Sequence, residues 1–197
     1  MAQLIYETVS GKGVVPYIDD LARLRISVFA EYPYLYDGGL TYEREYLSHL
    51  ARCESSFLVI AKDKDLVVGC STALPLAEAD ADFQEPFQRH GYDLKEVFYF
   101  GESVLDPHYR GYGAGRVFFE QREAAARAGK FRWASFCAVE RPDEHPRRPV
   151  DYSPLDRWWQ RLGFVKHPEL KANFDWKEIG QPAMSTHPMS FWLKELV

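Results

Sequence analysis

The hydrophobic and polar positions of the chain follow two periods, and together they predict an alternation of strands and helices. Period-two patterns rich in β-branched or aromatic residues predict strands over residues 3–9, 56–61, 66–76, 97–105, 131–139, 175–179 and 189–196. Helical patterns predict helices over residues 16–32, 42–52, 83–89, 115–128 and 153–162. The polar turn at residues 62–65 joins the second and third strands as a hairpin.

One part of this order determines the expected topology. The helix at 115–128 lies between the strands at 97–105 and 131–139, and a strand–helix–strand crossover makes its two strands parallel. The chain has no internal repeat and no linker. Residues 1–197 therefore predict one α/β domain of mixed α+β character, in which helices flank a mixed, mostly antiparallel sheet.

The segment before the last helix combines a long loop with helix-start signals. Residues 140–152 contain three prolines, and loops of this length in compact domains are often functional. Ser153 is predicted as the N-cap of the helix, Pro154 as its first residue and Asp156 as its capping-box acid, while Gly163 ends it.

Composition narrows the class of protein. A net charge of -5 argues against a domain that holds nucleic acid, because such domains are usually basic. The three cysteines, Cys53, Cys70 and Cys137, form neither a disulfide framework nor a zinc pattern, and the six histidines lack ligand spacing, so no metal is expected. We see no signal peptide and no apolar run that could span a bilayer, and the expected location is the cytoplasm.

The glycine-rich stretch HYRGYGAGR at residues 108–116 is the main candidate for ligand binding. Its glycines, Gly111, Gly113 and Gly115, do not match the spacing of a dinucleotide fingerprint, and the G-K-[ST] ending of a P-loop is absent. What remains is a turn between a strand and a helix N-terminus, where unpaired N–H groups suit a phosphate or pyrophosphate. A tight turn without a ligand is the alternative.

Two segments resemble the GNAT superfamily of N-acetyltransferases. Residues 105–115 resemble its signature of an apolar residue, any residue, proline, then [Arg/Gln]-x-x-Gly-x-[Gly/Ala], with Arg110, Gly113 and Gly115 at the fixed positions. Residues 158–164 resemble the closing Y-x-x-x-G-F segment, although Trp159 replaces the tyrosine. The order of elements also resembles that of the family, so the likeness spans nearly the whole chain.

The resemblance implies that acetyl-CoA is the cofactor, bound where the parallel strand pair lies. The pyrophosphate would be held by the backbone amides of Arg110, Gly111, Tyr112, Gly113, Ala114 and Gly115. The pantetheine arm would pair with the strand end at Val104 and Leu105, where an N–H would polarise the thioester carbonyl. Trp159 would pack against this arm or against the core.

Acetyl transfer to an amine needs a group that removes a proton. Glu102 is the candidate base, because the family often has an acidic residue there, and period-two alternation places it on one face with Phe98, Phe100 and Val104. The alternative is a carboxylate in a salt bridge with an arginine of the central hairpin or of the loop after residue 140.

The departing thiolate would take its proton from a second group. Since the indole of Trp159 is too weak an acid, Tyr152 is the candidate, with His145 and Tyr112 as alternatives. Tyr152 stands about where many members of the family carry an asparagine that contacts CoA. A thiolate is also a good leaving group that can depart without an acid.

The acceptor is expected beside the first two helices and the loop after residue 140. Its candidate contacts are Arg25, Tyr34, Tyr36 and His145. Arg25 could meet a carboxylate, whereas Asp37 and Glu43 could meet a cationic amine. The alternative is that the tyrosines cap the core. Cys137 is expected to be a buried structural thiol.

The predicted function is acetyl transfer from acetyl-CoA to an amine of a small molecule or peptide. No nucleic-acid or membrane partner is expected, and a homodimer is left open. The replacement at Trp159 keeps an alternative, a non-catalytic acyl-CoA-binding sensor or regulatory module of the same fold. A longer acyl donor, a hydroxyl acceptor and a plain nucleotide-phosphate binder are further alternatives.

Overall fold

A computed structural model of the chain describes residues 4–196. The strands are β1 Ile5–Val9, β2 Phe57–Asp63, β3 Leu66–Pro75, β4 Val97–Leu105, β5 Trp133–Val139, β6 Val165–Lys177 and β7 Met184–Glu195. The helices are α1 Ile18–Phe29, α2 Leu40–Arg52, α3 Ala81–Arg89, α4 Ala114–Ala128 and α5 Asp156–Arg161. Gln3, the first residue of the predicted first strand, lies outside the described residues.

The strands form one seven-stranded sheet in the order β1-β2-β3-β4-β5-β7-β6. Every neighbouring pair is antiparallel except β4 and β5, which are parallel as predicted. Their pairing is short, since it covers only residues 97–99 of β4 and 133–135 of β5. Beyond this point the two strands are no longer paired, which opens the sheet at its centre. The predicted fold class is confirmed.

Helices cover both faces of the sheet. The α1, α2 and α3 face packs around Leu21, Leu47 and Phe87, all buried against the inner strands. The α4 face packs around Phe119, and α5 adds Trp158 and Trp159 to that cluster. Since both faces are buried, the inner strands read as nearly continuous apolar runs. Among residues 4–196, none of the helices combines the length and the apolar character needed to cross a membrane.

The last two strands are much longer than the predicted segments 175–179 and 189–196. β6 has 13 residues and β7 has 12. Pro168 lies in an irregular register between His167 and Lys171, where β6 is not paired regularly with β7. Pro188 lies just beyond the end of β5; it pairs with Asn173 of β6, and its carbonyl accepts from the Glu140 N–H. Proline is tolerated at such irregular or edge positions, but in a sequence it argues against a strand.

The predicted start of the last helix is wrong. α5 begins at Asp156, and its N-cap position is Leu155 instead of Ser153, without a side-chain capping bond. Leu155 provides the first carbonyl of the helix, which accepts from the N–H groups of Trp158 and Trp159. Pro154 disfavours a helical conformation for Ser153, and both residues remain in the loop. The first helix is likewise shorter than 16–32, because a 3-10 turn over Gly11–Tyr17 precedes α1.

Candidate active site

A cleft of about 2080 Å³ opens where β4 and β5 separate. Its walls are the ends of these two strands, the N-terminus of α4, the chain that follows α1, and the loop from residue 140 to α5. The predicted site residues that line it are Tyr34, Glu102, Leu105, Arg110, Gly111, Gly113, Ala114, Gly115, Tyr152 and Trp159. Arg25, Tyr36, Val104, Tyr112 and His145 do not line it.

A β-bulge in β4 shapes the floor of the cleft. Ser71 of β3 pairs with Ser103 and Ala73 pairs with Phe100, so Thr72 stands opposite two residues of β4. The first of these is Gly101, where a Cβ atom would lie 2.4 Å from the Thr72 hydroxyl oxygen. Only glycine fits this close approach, and glycine is common at such bulges.

The bulge corrects the predicted orientation of Glu102. Phe98 and Phe100 belong to the cluster on the α4 face, whereas Val104 belongs to the cluster on the α1 and α2 face. Glu102 contacts Arg25 and Tyr46, so it lies on the α1 and α2 face with Val104. Since one extra residue reverses the alternation of a strand, simple period-two counting fails here.

The separation of β4 from β5 leaves an edge of β4 facing the cleft. The Glu102 N–H donates to the Thr72 hydroxyl at 3.1 Å, and the Asp106 N–H donates to the Val68 carbonyl at 2.8 Å, so both point towards β3. Because successive N–H groups alternate in direction, those of Ser103 and Leu105 point to the side from which β5 has separated. The side chain of Val104, by contrast, lies in the core, and Val104 does not line the cleft.

Arg122 of α4 supports the bulge from the opposite face, a role that the sequence analysis missed. Its side chain is fully buried and donates to the carbonyls of Thr72 and Glu102 at 3.2 and 3.3 Å and to the Ser103 hydroxyl at 2.8 Å. Its guanidinium also lies over the ring of Phe100, 4.4 Å from the centroid. Burial lowers the pKa of Arg122 to about 9, so the group is still charged at neutral pH. In the sequence, this role is indicated by an arginine within an otherwise apolar stripe of the helix.

Glu102 is part of a buried ion-pair cluster. Arg25 of α1 donates through Nε to Glu43 of α2 at 2.5 Å, and its Nη1 lies 2.5 Å from Oε1 of Glu102. The second contact lacks hydrogen-bond geometry, so it is an ion pair only. This is the alternative salt bridge expected for Glu102, with the arginine supplied by α1 instead of the hairpin or the loop.

Two tyrosines complete the surroundings of this cluster. The Tyr46 hydroxyl donates to Oε2 of Glu102 at 3.1 Å. Burial, followed by the Glu102 charge, raises the pKa of Tyr46 well above its ordinary value. Burial also raises the pKa of Tyr34, which lines the cleft. Both hydroxyls are therefore protonated donors at neutral pH.

The glycine-rich turn presents an open helix N-terminus to the cleft. Gly111 and Gly113 have φ values of 85° and 90°, which only glycine adopts readily, and Gly113 is the N-cap of α4. No acidic side chain stands in the first turn of the helix and no side chain caps it, so its first N–H groups are free for an anion. The side chain of Tyr112 is 66% exposed and does not line the cleft.

Arg110 connects this turn to two other parts of the cleft wall. Its Nη1 donates to Glu31 at 2.7 Å, and its Nε donates to the Leu105 carbonyl at 3.3 Å. The guanidinium therefore bridges the chain after α1 and the free edge of β4.

Tyr152 and Trp159 lie on the opposite wall. Tyr152 packs edge-to-face on Tyr32 at 4.7 Å, and burial raises its pKa, so it is a protonated donor at neutral pH. Trp159 packs against Phe136 at 4.9 Å and Trp192 at 5.1 Å. These contacts favour a packing role for Trp159.

Three predicted acceptor contacts do not reach the cleft. Arg25 is buried and engaged by two carboxylates, which corrects its expected pairing with a substrate carboxylate. Tyr36 forms a β-bridge with Glu178, away from the cleft. His145 packs its ring on Tyr32 at 5.6 Å. Each partner lies in a distant part of the sequence, so sequence spacing could not reveal these contacts.

Arg141 fastens the chain after α1 to the end of β6. It pairs with Glu178 at 2.7 Å and donates to the carbonyls of Pro33 and Tyr34 at 2.7 and 3.0 Å. The wall that contains Tyr34 is thus held in place by a buried guanidinium.

Cys137 also lines the cleft, and its Sγ lies 3.1 Å from the Tyr99 hydroxyl. Burial raises the pKa of Cys137 to about 12, so the thiol is neutral and a poor nucleophile. Within residues 4–196, no group of three or more histidine, cysteine or acidic side chains is arranged to hold a metal.

No family model matches the chain, and no curated protein matches it by sequence. Solved structures match its fold over nearly the whole length. A ribosomal-protein-alanine N-acetyltransferase from Brucella melitensis is 11% identical with a TM-score of 0.63, covering 97% of this chain and 99% of that one. The NAA60 protein of Arabidopsis thaliana, solved with acetyl-CoA, is 12% identical with a TM-score of 0.64 and 98% coverage of both chains.

A protein from Desulfovibrio desulfuricans assigned to the GNAT family of acetyltransferases is 14% identical with a TM-score of 0.61. The match covers 99% of this chain and 100% of that one. At such identities the likeness concerns the fold. The protein therefore has the fold of the GNAT acetyltransferases, which is the fold that the resemblance implied.

Proposed function

We propose that the protein transfers an acetyl group from acetyl-CoA to an amine. The proposal rests on one observation, which is that two binding features lie in the same cleft. The open N-terminus of α4 can hold a pyrophosphate, and the free edge of β4 can pair with an extended amide-containing arm. A known acetyl-CoA complex of a protein with this fold supports the assignment.

The residues present fit this cofactor. The amides of residues 110–115 would bind its pyrophosphate, and the backbone of Ser103 and Leu105 would pair with its pantetheine arm. In this structure the Leu105 carbonyl accepts from Arg110, and this hydrogen bond would break when the carbonyl pairs with the pantetheine arm. Trp159 would form part of the wall through its packing on Phe136.

Acetyl-CoA supplies a thioester carbonyl that an amine can attack. Glu102 takes a proton from the acceptor nitrogen, directly or through a water. The Ser103 N–H, held by the bulge, would stabilise negative charge on that carbonyl oxygen. As the nitrogen–carbon bond forms and the carbon–sulfur bond breaks, Tyr152 would supply the proton that the leaving sulfur takes.

A non-catalytic acyl-CoA-binding module is the second candidate. It is favoured by one observation, the ion pair between Glu102 and Arg25, because this pair gives the buried Glu102 carboxylate a structural role that needs no acceptor. The two candidates share the cofactor and differ in turnover.

The cofactor assignment predicts selective stabilisation. Acetyl-CoA should raise the melting temperature far more than ATP or NAD does, by ligand linkage. Gly113→Ala should weaken acetyl-CoA binding by about tenfold or more, because alanine disfavours the φ of 90° that aims the helix N-terminus. Thermal-shift titrations measure both effects, with Gly91→Ala as the control at another positive-φ glycine outside the cleft. Equal stabilisation by all three ligands would contradict the assignment.

The proton-donor assignment predicts a moderate loss. Tyr152→Phe should lower kcat by about tenfold to 100-fold, at the lower end of acid–base effects because a thiolate leaves readily. Thiol release from acetyl-CoA measures it, and Tyr42→Phe, which removes an exposed hydroxyl on α2, is the control. If both variants turn over at the wild-type rate, the sulfur leaves without Tyr152.

A further inference from the structure

We propose that the acceptor is an amine with no carboxylate on the carbon that bears the nitrogen: a peptide N-terminus, an amino-acid amide or an alkylamine, and not a free α-amino acid. This inference rests on the proposed function and concerns the chemical class of its acceptor. It follows from the charges and donors around Glu102.

The cluster behind the cleft holds more negative than positive charge. Two carboxylates, Glu43 and Glu102, share the single guanidinium of Arg25, and all three side chains are at least nine-tenths buried. Oε1 of Glu43 and Oε1 of Glu102 have no hydrogen-bond partner. Glu102 is the member of the cluster that lines the cleft. A cation that reaches Glu102 would supply the missing positive charge.

No cationic donor near Glu102 is left for a second carboxylate. Arg25 is used by the cluster itself, and burial of its guanidinium is outweighed by the Glu102 and Glu43 charges, which hold its pKa well above the ordinary value. Arg122 lies on the opposite face and directs its donors to Thr72, Glu102 and Ser103.

The other cations of the cleft are mostly engaged by acids of their own. The pairs are Arg110 with Glu31, Arg116 with Glu120, Arg141 with Glu178, Arg148 with Asp143 and Lys166 with Glu140. The two remaining arginines, Arg147 and Arg157, are exposed. Arg147 donates to the Ile179 carbonyl, and Arg157 lies on α5.

An α-carboxylate cannot avoid Glu102 by moving elsewhere. It is two bonds from the amine nitrogen, so an amine within reach of Glu102 brings the acceptor carboxylate close to it as well. Like charges at that distance repel strongly at a buried site. The tyrosines beside Glu102 cannot neutralise the second charge, because their hydroxyls are uncharged donors.

Matched acceptors test this inference. Tyramine, tyrosinamide and tyrosine share one skeleton, as do alaninamide and alanine, and the amides control for the bulk of the carboxylate. We expect kcat/KM for each amide or amine to exceed that of its α-carboxylate counterpart by tenfold or more, measured as thiol release from acetyl-CoA. Equal or better turnover of tyrosine and alanine would overturn the inference while leaving acetyl transfer intact.

A binding measurement separates this inference from the reaction itself. Calorimetric titration of the same acceptors into protein saturated with CoA should show the same preference in Kd. Glu102→Gln should reduce that preference at least threefold, whereas Asp151→Asn, which removes another exposed cleft carboxylate without breaking an ion pair, should leave it unchanged. A preference unchanged in Glu102→Gln overturns the role of Glu102. If no acceptor is turned over or bound, the proposed function fails and this inference fails with it.

Discussion

Replacing Glu102 with glutamine is expected to lower kcat for acetyl transfer by about 100-fold to 10,000-fold, the usual effect of removing a general base. Glutamine keeps the size of the side chain and can still accept from Tyr46, but it cannot take a proton from the acceptor. The fold should survive the change. With Glu102 neutral, Arg25 and Glu43 remain as a one-to-one ion pair, so no buried charge loses its partner.

Steady-state thiol release, together with the melting temperature of each variant, measures this effect. Asp143→Asn is the matched control for loss of a carboxylate from the same cleft, and it should stay within a factor of two of the wild type. If Glu102→Gln also stays within a few-fold, Glu102 is a structural ion-pair partner and the proton leaves by another route. If the wild type binds acetyl-CoA but turns over no amine, the non-catalytic module is the better function.

Arg122→Met should reduce the free energy of unfolding by about 2–4 kcal/mol, because a fully buried guanidinium and its hydrogen bonds are lost. Methionine fills much of the space but leaves the carbonyls of Thr72 and Glu102 without their donor. We expect kcat to fall as well, since the bulge that orients the Ser103 N–H loses its support.

Urea unfolding measures the change in stability, and turnover is then measured well below the midpoint. Arg116→Met is the control on the same helix. Its side chain is exposed and pairs only with Glu120 at 2.7 Å, so the change should stay within about 0.5 kcal/mol. Arg122→Lys keeps the charge but lacks the planar set of donors, and it should recover only part of the loss. A wild-type stability in Arg122→Met would refute the supporting role.

Local patterns determined most of the elements and the cofactor turn. Helices and strands follow from hydrophobic periodicity, and the parallel β4–β5 pair follows from the crossover through α4. The glycines at 111 and 113 stand where the backbone needs positive φ, and Gly115 follows in the first turn of α4. All of these depend on interactions within a few residues or on the order of neighbouring elements.

The arrangement of side chains at the Glu102 end of the cleft was decided by tertiary structure. The bulge at Gly101 depends on pairing with Thr72, and it turns Glu102 to the face opposite to the one that alternation predicts. The partners of Glu102 come from α1 and α2, and the support of the bulge comes from α4. Contacts between distant elements follow from how helices pack on the sheet, which no local pattern encodes. The sequence by itself therefore identified the turn that would hold the cofactor, and only the packed molecule showed which charges surround Glu102.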